Sequence, residues 1–473
     1  MCIFSPDNFI ILFKSWSKPT FPLPYNRMTI PPNSVAEHRQ QNFFHSDLLD
    51  QLDLKDELVL LSNKLPWDDI ISELSPLYSR LGRQAKPIRR MVGLLLLKQL
   101  ENKSDEVIVK EWKRNPYYQY FCGEIIFQTC DPCHPTDLVY FRNRLGESGM
   151  EKIFKMSVCL HGEPSREKEI VVDTTVQEKN ITFPTDTKLR VKVIKRCIKL
   201  ANKSGVKLRR SYKKELRDKL RAIRFNKSKK SGERQKIRAA KKRVLTIAST
   251  LLRELERKLP DDVKAIEREN LDLYKKVLTQ KKDDRNKIYS LHEPSVLCIC
   301  KGKEHKKYEF GSKASIAMTK TNCIIVGVKN FSKNEYDGNT LDELLPLVER
   351  TTGNVPEKAY CDRGFKGRKR VGLTEICLPC APEKGVTEYK KRKARLNFRR
   401  RSAIEPVIGH LKADFRLARN YLKGVIGDAV NLLLSAAAFN LKKLMRALAR
   451  IFFAFFRKGK LGSQAWILIA REG

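Results

Sequence analysis

The sequence predicts an α/β fold with a mixed sheet and flanking helices, preceded by an all-α domain and interrupted by a long basic helical insertion. Three observations lead there. Glu169-Ile-Val-Val-Asp-Thr174 is an unbroken run rich in β-branched residues, as expected of a strand covered on both faces. From Lys188 to Arg243 there are 25 Lys and Arg against three Asp and Glu, a net +22 set on apolar residues at helical spacing. After Ser295 short apolar runs return, then alternate with helical periodicity.

Taken in order, residues 1–60 form an irregular N-terminal extension with a helix near Ser46 to Lys64, and Met28 is a second candidate start. Residues 61–160 read as helical. Pro87 to Leu100 opens on proline and carries Ile88, Met91, Leu94, Leu95 and Leu97. Lys110 to Tyr120 and Pro135 to Leu145 follow as further helices. Short helices with basic faces suit a helix-turn-helix-type DNA-binding domain, and equally a plain bundle with a solvated basic face. Residues 165–425 hold the sheet, with the helical insertion at 186–290. Strands are expected at Val296 to Cys300, Tyr308 to Ser312, Asn322 to Lys329, Lys358 to Cys361 and Glu375 to Leu378. Helices are expected at Thr340 to Thr351, Ser402 to Leu417 and, within a C-terminal segment 426–473, at Asp428 to Leu448.

Composition narrows the class. The chain has 473 residues, 41% hydrophobic and 32% charged, which at ~100–200 residues per domain makes two to four globular units. A net charge of +41 repels itself in a compact state unless a polyanion screens it. Nucleic acid is the first candidate, because each phosphate neutralised releases counterions; an anionic membrane surface is the competitor. No uncharged apolar run reaches ~18 residues, so no bilayer-spanning segment is expected. Met1 to Trp16 lacks a cationic start and a small-residue cleavage site. The expectation is a cytoplasmic, nucleoid-associated protein. Twelve cysteines include two CxxC pairs, Cys130–Cys133 and Cys377–Cys380, too far apart in the chain to form a zinc ribbon and read as loop thiols.

The chemistry-bearing candidates are carboxylates. Asp173 and Asp362 each end an expected strand, where sites gather in open α/β sheets, though Asp also favours turns. A hard cation such as Mg²⁺ takes carboxylate oxygens, few protein ligands and substrate phosphates, and a two-metal site needs carboxylates on each side and between. The third candidate is Glu405, which shares a helix face with Arg401 and Lys412 at spacings of four and seven. Ser402-x-x-Glu405 is also a capping-box pattern. His410 and His305 receive no catalytic assignment.

Three passages carry a resemblance: Val171-Val-Asp-Thr-Thr175, Tyr360-Cys-Asp-Arg-Gly-Phe-Lys-Gly367, and Phe398 to Lys412. Together they resemble insertion-sequence transposases of the DDE type, which have a ribonuclease H-like core. One large group of these shows Tyr, two residues, Arg, three residues, Glu, six residues, Lys; here Arg401, Glu405 and Lys412 keep the spacing and Phe398 stands at the tyrosine. The resemblance covers roughly residues 60–455. It implies a ribonuclease H-like mixed sheet, and two Mg²⁺ ions, with Mn²⁺ as a substitute, held by Asp173, Asp362 and Glu405. It also implies hydrolysis at the ends of a mobile element and attack of the freed 3′-OH on target DNA. Arg401, Lys412 and Arg363 would contact phosphates, and Gly364 would permit a sharp turn. Two DNA ends imply a homodimer, without membrane involvement. Two other readings stay open: a ribonuclease H-like nuclease that does not join, and a non-catalytic basic DNA-binding protein.

Overall fold

The computed structural model describes residues 29–30, 47–78, 83–225, 231–281, 283–300, 307–379 and 387–457. Residues 1–28 with the candidate start Met28, the turn at Gly302, His305 and Cys380 lie outside them. The chain divides into two compact units: Met1–Ser165 with Leu433–Gly473, and Arg166–Leu432.

Among the described residues the first unit is helical apart from one parallel pairing of Thr29–Ile30 (β1) with Arg83–Gln84 (β2). The helix expected over Ser46 to Lys64 is two, α1 (Leu48–Gln51) and α2 (Glu57–Lys64). Asp56 accepts the Leu58 N–H and starts the second. After α3 (Trp67–Leu74) comes α4 (Ile88–Leu100), buried almost all round by Met91, Leu94, Leu95, Leu96 and Leu97. The helix expected over Lys110 to Tyr120 is also two, α5 (Asp105–Trp112) and α6 (Pro116–Phe121). Pro116 cannot continue a helix, and the Asn115 side chain accepts from the Tyr117 and Tyr118 N–H groups, capping the new one. Helix α7 (Pro135–Cys159) runs past the expected end at Leu145, across a kink at Gly146 where φ is 60°. His134 caps it: its N–H donates to Asp137 and its ring accepts the Thr136 N–H.

The last helix, α15 (Gly424–Arg457), enters this unit at Leu433. Gln99 Nε2 donates to Ser435 Oγ at 2.8 Å, and His161 meets the Asn440 carbonyl at 3.1 Å. Its stretch Gly424–Phe452 is long and apolar enough to cross a membrane by length and composition. That corrects the expectation that no segment qualifies: a few isolated charges break the run without lowering its overall apolarity. Of that apolar window 78% is buried inside the protein, so its apolar surface is used in packing.

The second unit holds a seven-stranded mixed sheet of order β4-β5-β3-β7-β9-β8, with β6 also paired to β5. Strand β3 (Glu169–Glu178) outruns the expected 169–174 and is central. It pairs antiparallel with β5 (Tyr308–Thr319) and parallel with β7 (Lys358–Tyr360). On one side β5 also pairs with β4 (Leu297–Cys300) and β6 (Ile325–Phe331), both antiparallel. On the other, β7 pairs in parallel with β9 (Thr374–Cys377), which turns back to β8 (Arg370–Val371). Three antiparallel strands followed by parallel ones in this order is a ribonuclease H-like sheet. Helix α12 (Leu341–Thr352) packs on β6, and α13 (Glu388–Arg401) and α14 (Ile404–Ala413) complete the unit.

Between β3 and β4 the insertion folds into four helices: α8 (Asp186–Lys203), α9 (Lys213–Phe225), α10 (Ser231–Lys258) and α11 (Asp261–Thr279). They enclose a core of their own, with Val193, Ile194 and Cys197 against Val244, Ile247, Leu251, Leu255 and Val277. The apolar positions at helical spacing point inward and the cations outward. α9 buries none of its residues fully.

One ion cluster stands out in the first unit. Asp105 receives two hydrogen bonds from Arg142, at 2.9 and 2.6 Å, and an ion pair from Lys98 at 3.0 Å. Burial opposes its ionisation, but Arg142 and Lys98 outweigh burial and hold the carboxyl below its usual range. The contribution to stability is therefore complete above the ordinary Asp range and is lost as pH falls through the lowered folded value. Asp105→Asn leaves two buried cations under-compensated and is expected to cost about 3 kcal/mol. The measurement is the urea midpoint; an unchanged midpoint would show that the cluster contributes nothing.

Candidate active site

Parallel pairing of β3 with β7 sets Val171 beside Tyr360. Two residues on stand Asp173, which lies within β3 rather than at its end as expected, and Asp362, just past the end of β7. Cys361, just before Asp362, is fully buried. Burial first, then the charges of Asp362 and Asp173, push its thiol well above the usual range, while Arg401 acts in the opposite sense. That thiol therefore senses both carboxylates and the Arg401 guanidinium together.

Both aspartates are half-buried. Asp173 Oδ1 accepts the Thr174 N–H at 2.7 Å. Asp362 caps a 3₁₀ turn, Arg363–Phe365, and its Oδ1 accepts the Gly364 N–H at 2.8 Å. Gly364 does not serve a left-handed turn, since its φ is not positive. Its place is set by crowding: a Cβ there would lie 2.9 Å from Asp362 Oδ1 and 2.9 Å from Asp337 Oδ2. Asp337 was not among the sequence candidates. It opens the turn Asp337–Thr340, pairs with Lys313, and accepts from Thr174 Oγ1 at 2.9 Å. The only signal for it was an Asp at a strand-to-helix junction in Tyr336-Asp-Gly-Asn-Thr340.

The helices carrying the third candidate are docked by a cluster at the start of β3. Lys320 Nζ reaches Glu169 at 2.7 Å, Asn397 of α13 at 2.9 Å, and lies 4.1 Å from the Tyr360 ring centre. Phe398, at the tyrosine position of the family pattern, stacks edge-on against Tyr360 at 5.8 Å. The one helix expected from Ser402 to Leu417 is instead the end of α13 and the whole of α14. Ser402 closes α13 and Ala403 precedes α14 with no side-chain cap, so the Ser402–Glu405 capping box does not form. Helix α14 buries Ile404, Val407 and Leu411 and packs against β3.

Glu405 lies in the first turn of α14 with its side chain 63% exposed, 3.5 Å from Arg401. Lys412 is half-buried in the last turn, and Arg363 is exposed beside Asp362. His410 is exposed and meets Asp414 at 2.8 Å. Asp173 and Asp362 thus both lie near Cys361, while Glu405 is turned to Arg401. Among the described residues no three His, Cys, Asp or Glu side chains converge closely enough to hold a metal ion. The donor chemistry of the two aspartates still fits a hard divalent cation: carboxylate oxygens alone, half-exposed.

Comparison with known proteins bears on the same segments. Residues 46–144 match a family model described as a transposase domain (DUF772), and residues 276–441 match the transposase DDE domain. The second match contains Asp362, Arg363, Arg401, Glu405 and Lys412; Asp173 lies ahead of it, beyond the insertion. The uncharacterized protein ORF8 in the nfe locus of Rhizobium meliloti is 36% identical over 178 residues, 36% of this chain and 86% of the relative. No solved structure matches the chain. The chain belongs to the insertion-sequence transposases of the DDE type.

Proposed function

We propose that the protein cuts DNA at the ends of a mobile element and joins the freed 3′ ends to target DNA, with Asp173, Asp362 and Glu405 as its catalytic carboxylates. The observation that supports this is the parallel pairing of β3 with β7, which sets Val171 beside Tyr360, each two residues before one of the two aspartates. When bound there, two divalent ions, Mg²⁺ by preference, would neutralise the charge that builds on the attacking and leaving oxygens of an in-line displacement. The residues supply the rest. Asp173 and Asp362 are held in place by the backbone N–H groups of Thr174 and Gly364. Glu405 would exchange Arg401 for the metal ions, which would free the guanidinium for a phosphate, and Arg363 and Lys412 would supply further cations for the DNA backbone. Cutting and joining are both in-line displacements at phosphorus, so one set of carboxylates serves both. Joining needs two DNA ends at once, and a homodimer is the proposed active species.

The test is a strand-transfer assay with labelled DNA carrying the element's flanking ends, a supercoiled target and Mg²⁺, with EDTA as control. Metal-dependent joining supports the proposal. Cutting without joining favours a nuclease, and DNA binding with neither reaction leaves a basic DNA-binding protein. Asp173→Asn, Asp362→Asn and Glu405→Gln are each expected to slow cleavage by about three orders of magnitude, a loss of about 4 kcal/mol in the transition state, with DNA affinity kept. Persistent cleavage in any one removes that residue from the site.

The helical insertion is proposed as a phosphate-contacting surface. Its cations Lys213, Lys214, Arg221 and Arg224 on α9 are all exposed. Replacing them together by Gln is expected to weaken DNA binding and flatten the dependence of log K on log salt by about 0.9 for each phosphate that is no longer neutralised. An unchanged slope would mean that α9 does not meet DNA.

A further inference from the structure

We infer that Asp337 is a positioning residue for the carboxylate site, acting through Thr174; this rests on the function proposed above. Thr174 is the link. Its backbone N–H donates to Asp173 Oδ1 at 2.7 Å, and its hydroxyl donates to Asp337 Oδ1 at 2.9 Å. A threonine side chain has few χ1 choices. Anchoring its hydroxyl on Asp337 therefore fixes the residue whose peptide holds Asp173. Asp337 is fixed in turn by Lys313 of β5, whose side chain is 8% exposed. Its backbone carbonyl accepts the Thr340 hydroxyl at 2.6 Å.

The same turn reaches the Asp362 loop. A Cβ at Gly364 would lie 2.9 Å from both Asp337 Oδ2 and Asp362 Oδ1, so any side chain there would push one of the two carboxylates aside. On either side of Asp337 the two segments are tied: the Tyr336 hydroxyl donates to the Lys366 carbonyl at 2.5 Å, and Arg368 pairs with Asp342 at 2.8 Å and donates to Asn339 at 3.1 Å. The turn between β6 and α12 thus grips the residue behind Asp173 and the loop behind Asp362 at once. Lys313 neutralises Asp337, which assigns it to orienting rather than ligating. Residues that orient ligands typically cost ~10–100-fold in metal affinity when removed.

The experiment reads Mn²⁺ binding to the full-length protein without DNA, from the loss of the free-ion electron paramagnetic resonance signal. Asp173→Asn comes first and is expected to abolish tight binding; wild-type binding in that variant would overturn the proposed site itself. Given that loss, Asp337→Ala and Thr174→Val are each expected to weaken Mn²⁺ ~10–100-fold and to raise the Mg²⁺ needed for half-maximal cleavage. Thr174→Ser, which keeps the hydroxyl, should recover most of the Thr174→Val loss. The double variant Asp337→Ala/Thr174→Val should lose no more than either single one, because both act along one path. Circular dichroism and DNA affinity report whether each variant is folded. Wild-type Mn²⁺ affinity in folded Asp337→Ala, or in Thr174→Val should Asp337→Ala not fold, overturns the inference. A loss in Asp337→Ala with none in Thr174→Val overturns the route through Thr174.

Discussion

Strands β3 and β7 run side by side in parallel, and the register of that pairing decides what the rest of the site can be. Val171 is opposite Tyr360, and Asp173 and Asp362 each follow two residues later. Side chains alternate between faces, so a slip by one residue would send one aspartate to the far side of the sheet. The register is pinned where the pairing begins, by Lys320 between Glu169, Asn397 and the Tyr360 ring. Burial works against ionised Glu169, but Lys320 and the Tyr360 hydroxyl outweigh it and hold its carboxyl below the usual range. The same ammonium fastens α13, and so the approach of α14 and Glu405, to the strand that carries Asp173. One cation thereby serves both the alignment of two strands and the docking of α13, which leads into the helix carrying Glu405.

Much of this was legible in the chain. The Ile170 to Val172 run announces a covered strand, and the spacing of Arg401, Glu405 and Lys412 can be read from local pattern; the strand expected to end at Asp173 runs on to Glu178. Register cannot: it depends on which strand lies beside β3, and that is decided by long-range pairing. Helix breaks were missed where turn chemistry should have outweighed periodicity, as at Asn115-Pro116. Ser402-x-x-Glu405 has the pattern of a helix start, yet a helix beginning at Glu388 already runs through Arg401, so Ser402 meets it at the wrong end. Asp337 was invisible because its meaning comes from Thr174 on β3 and Lys313 on β5, far away in sequence.

The insertion shows how so large a charge can be carried. Its apolar residues close on one another, so its many cations project outward without disturbing the sheet. In a single-layer attachment the same residues would need partners on the catalytic unit. A self-contained core leaves that sheet free to keep ribonuclease H-like geometry around a helical body of more than ninety residues between Asp186 and Thr279.

That self-containment bears on how the chain reaches its native state. The longest pairing in the sheet joins β3 to β5, two strands separated by the whole insertion. Closing so long a loop from an unstructured chain is entropically costly and slow, since pairings of high sequence separation delay folding. A folded insertion removes most of that cost, because its ends are already brought together. Lys287 pairs with Asp186 across its base at 3.1 Å, and the buried Lys179 at the end of β3 pairs with Glu293 at 3.5 Å. With the helices assembled first, β3 and β5 meet as though joined by a short connection, and contact order becomes local in effect.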